Sequence, residues 1–323
     1  MAGNSFGKNF IVTTWGQSHG EYIGAVVDGC PAGLDLCEED FVPMMERRSP
    51  KHRNEPDKVK ILSGVFEGKT TGMPISLIIK NEDCNSEDYD YLKDIYRPGH
   101  ADLVYDEKYG IRDYRGGGRS SGRETAMRVA AGVIAIKILD KLNIKIESKV
   151  SVLQGIPDND SIGGTVKLKV TGTPKGLGEP VFEKLDANLA KALMSIGAVK
   201  AIEIGSGIES ANMMGSESND EYVIKDSKIQ KKTNNAGGIL GGISDGDDID
   251  IKIYFKPTPS ISRYQNTVNK DKEEIEFSAQ GRFDTCIAPR GAVVAEAMVA
   301  LTLVDALFEN MHSKMESLVK FYE

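Results

Sequence analysis

A chain of 323 residues, 40% of them hydrophobic, is long enough for one large or two ordinary domains with a sizeable core. Its 40 lysines and arginines against 48 aspartates and glutamates leave a net charge of -8, which argues against general binding to nucleic acid or anionic membranes, because both need a broad basic surface. The four cysteines form no C-x-x-C pair, the opening MAGNSFGKNF lacks an export pattern and no stretch of 18 apolar residues is read, so a cytoplasmic protein with free thiols and no resident metal is expected.

Residues 10–15 and 24–28 read as short strands rich in Val, Ile, Thr and aromatics, joined by the turn Gly16-Gln17-Ser18-His19-Gly20. A lone histidine is more often a packing or surface residue, but one flanked by glycine and serine has little to pack against, which makes His19 a candidate proton donor. Residues 38–48 read as a helix interrupted at Pro43, running into the basic Arg47-Arg48-Ser49-Pro50-Lys51-His52-Arg53, either a solvated loop or an anion clamp. Strands at 59–66 and 74–80 around a turn at 68–72 predict a hairpin, and the acidic stretch 81–91 is expected to loop out.

The stretch 97–132 organises the rest. It holds six of the twelve arginines, Arg97, Arg112, Arg115, Arg119, Arg123 and Arg128, and the next arginine is Arg263. Arginine presents a planar fork of donors suited to phosphate or carboxylate, so its clustering points to anion recognition, with surface ion pairs as the competing explanation. Gly116-Gly117-Gly118 precedes Arg119-Ser120-Ser121, and Ser121 with Glu124 has the spacing of a capping box ahead of a small, apolar run. A helix beginning near Ser121 or Gly122 and ending at 142 would aim free N–H groups at an anion beside those arginines. The stretch fits neither G-x-G-x-x-G nor G-x-x-x-x-G-K-[ST], so neither a Rossmann nor a P-loop site is supported.

Strands follow at 144–153 and 165–171, a short amphipathic helix at 186–196 and strands at 200–205 and 249–255. Between the last two lie a polar stretch, 206–232, read as a mobile excursion, and the glycine-rich 234–242, read as a tight hairpin corner or as backbone held close to a ligand. Residues 292–307 form a second helix apolar on all faces, continuing with more polar turns toward Phe321, and such helices must be covered on all sides. No composition break marks a domain boundary, so a single α+β unit over 1–323 is expected.

Several ordered motifs resemble the chorismate synthase family over nearly the whole length. They are G-Q-S-H-G at 16–20, R-P-G-H-A-D at 97–102, Y-R-G-G-G-R-S-S-G-R-E-T-A-M-R-V-A-A-G at 114–132, A-G-G-I-L-G-G-I-S at 236–244, K-P-T-P-S at 256–260 and G-R-F-D at 281–284. The resemblance implies a lyase that converts 5-enolpyruvylshikimate 3-phosphate to chorismate and phosphate by 1,4-anti-elimination, the last step of the shikimate pathway, with reduced FMN. It implies two antiparallel β-sheets sandwiching long central helices, a homotetramer, and NADPH or an external flavin reductase as the source of reductant. His19 then matches the histidine that protonates the leaving phosphate, His100 the one that sets the reduced flavin's protonation state, and Asp284 a proton-relaying aspartate. Substrate-phosphate positions fall on Arg48, Ser18, Arg123 and Arg290, with Arg53 or Lys51 taking a further one. Cofactor contacts fall on Arg119, Ser120, Ser121, Gly197, Ala198, Gly241, Lys256, Pro257, Thr258, Pro259, Ser260 and Arg282.

The chain departs from the family pattern at Gln17, where glutamate is usual, at Gly197, where asparagine is usual, and at Phe283 and Thr285 in place of H-D-P. The arginine-rich loop at 47–57 and the segment before Ser161 are also shorter than usual. A flavin- or phosphate-ligand-binding relative without turnover is the competing expectation, and proton carriers at His19, His100 and Asp284 argue against it.

Overall fold

Two helices without a polar face have to be covered on every side, and the chain does this with two antiparallel sheets. The computed structural model describes residues 3–49, 57–82, 86–152, 155, 158–281 and 283–323. The first sheet is made of β1 (Ser5–Phe6), β2 (Ile11–Gly16) and β3 (Tyr22–Asp28), then, after α1 (Val42–Arg48), of β4 (Lys60–Ile61) and, past the ribbon β5 (Val65–Phe66) and β6 (Lys69–Thr70), of β7 (Ile75–Lys80). The strand order is β1-β2-β3-β7-β4, each neighbouring pair antiparallel. Alternate residues Ile23, Ala25 and Val27 of β3 and Ile75, Leu77 and Ile79 of β7 are buried, which makes one face of the sheet the core face.

β8 (Ile95–Tyr96) and α2 (Asp102–Tyr109) lead into α3 (Thr125–Lys141), the first core helix. Next come β9 (Lys145–Val152), β10 (Gly164–Thr171), α4 (Leu185–Met194) and β11 (Val199–Ile204). After them an excursion carries α5 (Gly215–Ser218) and the hairpins of β12 (Tyr222–Lys225) with β13 (Lys228–Lys231) and β14 (Ile239–Leu240) with β15 (Ile243–Ser244). β16 (Ile249–Phe255) completes a second antiparallel sheet of order β11-β16-β10-β9. β17 (Gln265–Asn269) and β18 (Glu274–Phe277) join β8 in a small sheet, and α6 (Ala288–Asn310) and α7 (Met315–Tyr322) follow.

α3 packs against β2, β3 and β7, α6 packs against β9 and β10, and the two helices pack on each other. One hydrophobic cluster runs through both sheets and both helices. The two helices approach closely at Gly132, where a Cβ would stand 2.4 Å from the Cβ of Ala297. Beside that contact, Glu296 is 5% exposed within α6 and accepts two hydrogen bonds from Arg47, at 2.7 and 2.8 Å, and one from the Ser148 hydroxyl. That carboxylate ties α1 to α6 and β9, and so sets where the next residue, Arg48, enters the interior.

Several expectations need correction. α6 is long and apolar enough to cross a membrane, contrary to the reading that no such stretch exists, yet 83% of its most apolar window is buried in this fold, as befits a core helix. Pro43 does not interrupt a helix; it lies in the first turn of α1, where a missing N–H costs nothing, after a 3-10 turn at Glu38–Phe41. The pairing of 59–66 with 74–80 is realised by β4 and β7, but Gly64, at φ +82, turns the chain so that β5 pairs with β6 instead. α3 starts at Thr125 rather than Ser121, because the Gly122 carbonyl accepts from Arg48 and from the Thr125 hydroxyl and the preceding turn stays 3-10. Ser121 caps that turn, accepting from the Arg123 N–H at 3.3 Å, while Glu124 pairs with Arg128. The polar stretch 206–232 is folded: Lys231, with a side chain 4% exposed, is held by Asp245 at 2.6 Å and Asp247 at 3.1 Å, and Asp220 accepts from the N–H groups of Asn235 and Ala236. The glycine-rich 234–242 is a hairpin corner, with β14 and β15 on either side of Gly241 and Gly242.

Gly132→Ala tests how closely the core helices meet. Overpacking of about 1–3 kcal/mol exceeds the ~1 kcal/mol that alanine gains over glycine in an open helix, so calorimetry should show a lower Tm; a higher one would mean the two helices have slack.

Candidate active site

A cavity of about 480 Å³ opens where the β2–β3 turn, the end of α1, the segment after β7, the glycine-rich run before α3 and the start of α6 converge. In the turn, the Gly20 N–H donates to the Gln17 carbonyl at 3.2 Å, which places Ser18 and His19 at its corner. The Ser18 hydroxyl lies 3.2 Å from His19 Nδ1, and the Tyr89 ring meets the imidazole edge to face at 4.7 Å between centroids. Gly116, at φ +65, lies against the other side: a Cβ there would fall 2.1 Å from His19 Cε1, so only glycine leaves room for the ring.

The arginines near this turn are held by buried acids. Asp57, with a side chain 1% exposed, accepts from Arg48 Nη1 at 2.9 Å and from Arg123 Nη1. Arg48, itself 1% exposed, also donates to Thr125 Oγ1 at 3.2 Å and to the Gly122 carbonyl at 3.0 Å. Arg290 donates to the Arg48 carbonyl at 3.1 Å and to Asp284 Oδ2 at 2.8 Å. Two guanidiniums on one carboxylate leave an excess of positive charge at the cavity wall, the condition for binding an anion.

His100 sits in a loop braced by Asp102, which accepts from the N–H, Nε and Nη2 of Arg97 and lies 2.9 Å from Arg112 Nη1. Burial pushes the Asp102 carboxyl upward, but its bonds to Arg97 and the Arg112 charge outweigh this and hold it below the usual carboxylate range. His100 Nδ1 donates to the Pro98 carbonyl at 2.9 Å, which leaves Nε2 to accept from Ser260 Oγ at 3.0 Å. Burial, and next the Arg97 charge, push the imidazole below its ordinary value, against smaller opposing effects of the Pro98 carbonyl and Asp102.

Of the residues singled out in the sequence, Ser18, His19, Arg48, His100, Ser120, Ser121, Arg123, Gly197, Ala198, Lys256, Thr258, Pro259, Ser260, Asp284 and Arg290 all line this one cavity. Three do not. The Arg119 guanidinium turns away to Asn4 Oδ1 and the carbonyls of Thr14 and Gly16, the Pro257 ring faces Gly163, and Gly241 sits at the tip of the β14–β15 hairpin. Arg53, Lys51 and Arg282 lie outside the described residues. The sequence reading missed Asn81 and Tyr89, assigned to an acidic loop, and Asp57; each touches a residue it did single out. The glycine next to His19 in space was visible as part of the GGG run, but not its role as a seat for the ring.

A family model described as chorismate synthase matches residues 10–158 and 151–308. The chain belongs to the chorismate synthase family. It is 52% identical to the chorismate synthase of Lachnospira eligens over 364 aligned positions, covering all of both chains. It is 50% identical to that of Lachnoclostridium phytofermentans, again with full coverage of both, and 48% identical to that of the archaeon Methanococcoides burtonii over 99% of this chain and 100% of the other. A crystal structure of chorismate synthase superposes with a TM-score of 0.76 at 29% identity, covering 98% of this chain and 97% of that one. The two matches to the chorismate synthase model overlap at 151–158.

The His100 environment carries a pH prediction. Protonation would add a second charge beside Arg97 in a half-buried place, so in the ligand-free protein the His100 resonance should titrate below the ordinary 6.5. With the folded value depressed, the contribution to stability is complete above about pH 6.5 and is lost as pH falls through the folded value. Titration at or above the ordinary value by imidazole NMR would contradict this assignment of charges.

Proposed function

We propose that the chain converts 5-enolpyruvylshikimate 3-phosphate to chorismate and phosphate by 1,4-anti-elimination, with reduced FMN as its cofactor. The carbon–oxygen lyase class and the final position in the shikimate pathway follow from the family. One observation carries the residue-level reading: two histidines in different environments, His19 in a polar turn and His100 half-buried next to cations, face the same cavity as a cluster of guanidiniums of which Arg48 is buried.

The residues present suit a flavin. Thr258 Oγ1 is buried at the cavity wall without a hydrogen-bond partner among the described residues, a donor and acceptor that a polar ring edge would satisfy. Among the described residues no carboxylate lies within ion-pair distance of Lys256, whose Nζ reaches the Gly99 carbonyl at 3.0 Å, so it can face an anionic cofactor. Ala198 adopts φ +71, a costly conformation for alanine, and its carbonyl accepts from the Lys256 N–H at 2.9 Å. Gly197, Ala198, Ser120, Ser121, Lys256, Thr258, Pro259 and Ser260 would hold the cofactor, with Arg282 joining them on the resemblance alone. When bound, reduced flavin lends electron density to a ring whose departing hydrogen has no adjacent carbonyl to acidify it.

The chain's own groups handle charge and protons. Arg123, Arg48, Arg290 and Ser18 receive the phosphate, with Arg53 or Lys51 as a further contact on the resemblance alone. Asp57 keeps the two guanidiniums converged so that no reorganisation is needed as charge builds on the leaving group. His19 gives its proton to the departing phosphate. His100, whose Nε2 is an acceptor before the ligands enter, would set the protonation state of the reduced flavin, and Asp284, fixed by Arg290, would relay a proton there. NADPH or an external reductase supplies the reductant, and the chain works as one unit within a cytoplasmic homotetramer.

The test is anaerobic turnover with chemically reduced FMN, following chorismate absorbance beside phosphate release. Stoichiometric formation of both over many turnovers is expected, with His19→Ala and His100→Ala each slower by about a hundredfold or more. Binding of both ligands without product would leave a non-catalytic relative of the same fold.

Gly197→Asn probes the cofactor side separately. No heavy atom lies within 4 Å of the position its Cβ would take, so the variant should keep its Tm and bind reduced FMN more tightly in titrations. Weaker binding would mean that the open space belongs to the flavin itself.

A further inference from the structure

Asn81 follows the last residue of β7 and stands in the cavity wall. Its Nδ2 donates to the Gln17 carbonyl at 3.1 Å and to the Gly20 carbonyl at 2.7 Å, the first and last residues of the turn that carries Ser18 and His19. Its Oδ1 accepts from Arg123 Nε at 2.8 Å, and its backbone N–H donates to the Glu21 carbonyl at 3.0 Å. The orientation of the amide is fixed by chemistry, because carbonyls can only accept and a guanidinium can only donate. A single planar group therefore spans the histidine turn and one of the two arginines that share Asp57.

We propose that Asn81 is the positioning residue that sets the distance between the proton donor and the phosphate clamp, gripping the His19 turn with its NH₂ and Arg123 with its oxygen. The proposal rests on the reading that His19 protonates the phosphate held by Arg123. Asn81 itself touches neither phosphate nor proton in this account. Its effect is geometric: a proton donor displaced by about 1 Å from its acceptor loses on the order of a hundredfold in rate, and this one side chain bonds to both ends of the turn and to Arg123. Aspartate is the informative replacement. It keeps the oxygen that Arg123 donates to, but puts a second oxygen against the two turn carbonyls, so that end of the span is released and the other is kept.

The experiment compares Asn81→Asp and Asn81→Ala with the wild type by anaerobic steady-state kinetics with reduced FMN, by Tm, and by the imidazole ¹H–¹⁵N NMR spectrum of the ligand-free protein. With four histidines in the chain, the His19 signal can be assigned by its loss in His19→Asn. Both variants should fold, lower kcat by about tenfold or more, and move the His19 signal. If Asn81 served only to hold Arg123, Asn81→Asp would act through its added charge on the clamp but leave the His19 signal in place, and the proposal would be overturned. Should Asn81→Ala prove unstable, the isosteric aspartate variant decides alone. Full turnover by His19→Asn would instead sink the proton-donor reading, and the His19 signal in Asn81→Asp would still decide whether Asn81 holds the turn.

Discussion

Asp57 stands between Arg48 and Arg123 with its side chain 1% exposed, and a buried carboxylate in that position is tolerable only while its cations stay with it. Breaking such a pair costs about 3–5 kcal/mol, so the three groups are committed to one arrangement. The commitment spreads. Arg48 also fixes the Gly122 carbonyl and Thr125 at the entry to α3, and its own carbonyl takes Arg290 from the first turn of α6, which in turn holds Asp284. The end of α1 and the beginnings of both core helices are thus referenced to a single ion, and the cavity lies where they meet.

The charge pattern of the cavity opposes that of the whole molecule. The chain carries a net charge of -8, yet the cavity wall gathers Arg48, Arg97, Arg123, Arg290 and Lys256. Three nearby acids align arginines: Asp57 two of them, Asp102 Arg97 with Arg112 close by, and Asp284 Arg290, while Glu82 also stands in the wall. Each guanidinium is therefore held by a hydrogen-bonded acid, while the surplus of positive charge faces inward. A phosphorylated dicarboxylate meets an anion site prepared in advance, which is the arrangement that makes electrostatic stabilisation effective in a site closed to water.

Much of this was legible because it is local in sequence. Two runs of small apolar residues announce α3 and α6, and the R-P-G-H-A-D and G-G-G-R-S-S stretches bring histidine, glycine and arginine together within a few residues. What escaped is what pairs across long separations. Asn81 meets Arg123 across 42 residues and Asp57 meets it across 66, and nothing in an acidic stretch or in E-P-D marks either as an acceptor for a particular guanidinium. The same holds for the polar excursion between β11 and β16. Its composition suggests mobility, but the buried Lys231 finds its carboxylates after the chain has turned back on itself, and composition does not report that. The helix start was displaced for a related reason: the capping-box spacing is present, but a distant arginine takes the Gly122 carbonyl and the first turn tightens.

The pairing of α3 with α6 also orders events in time. α3 ends at Lys141 and α6 spans Ala288–Asn310, so on a ribosome the first core helix emerges well before the second has been made. At about 5–20 residues per second the interval is roughly 10–30 s. Through it, the face of α3 that Gly132 offers to Ala297 has no covering helix, and α6 itself, apolar enough to pass for a membrane span, becomes safe only once it is seated. Completion of this core thus waits on α6, and until that helix is made and seated the apolar surface meant for it on α3 stays uncovered.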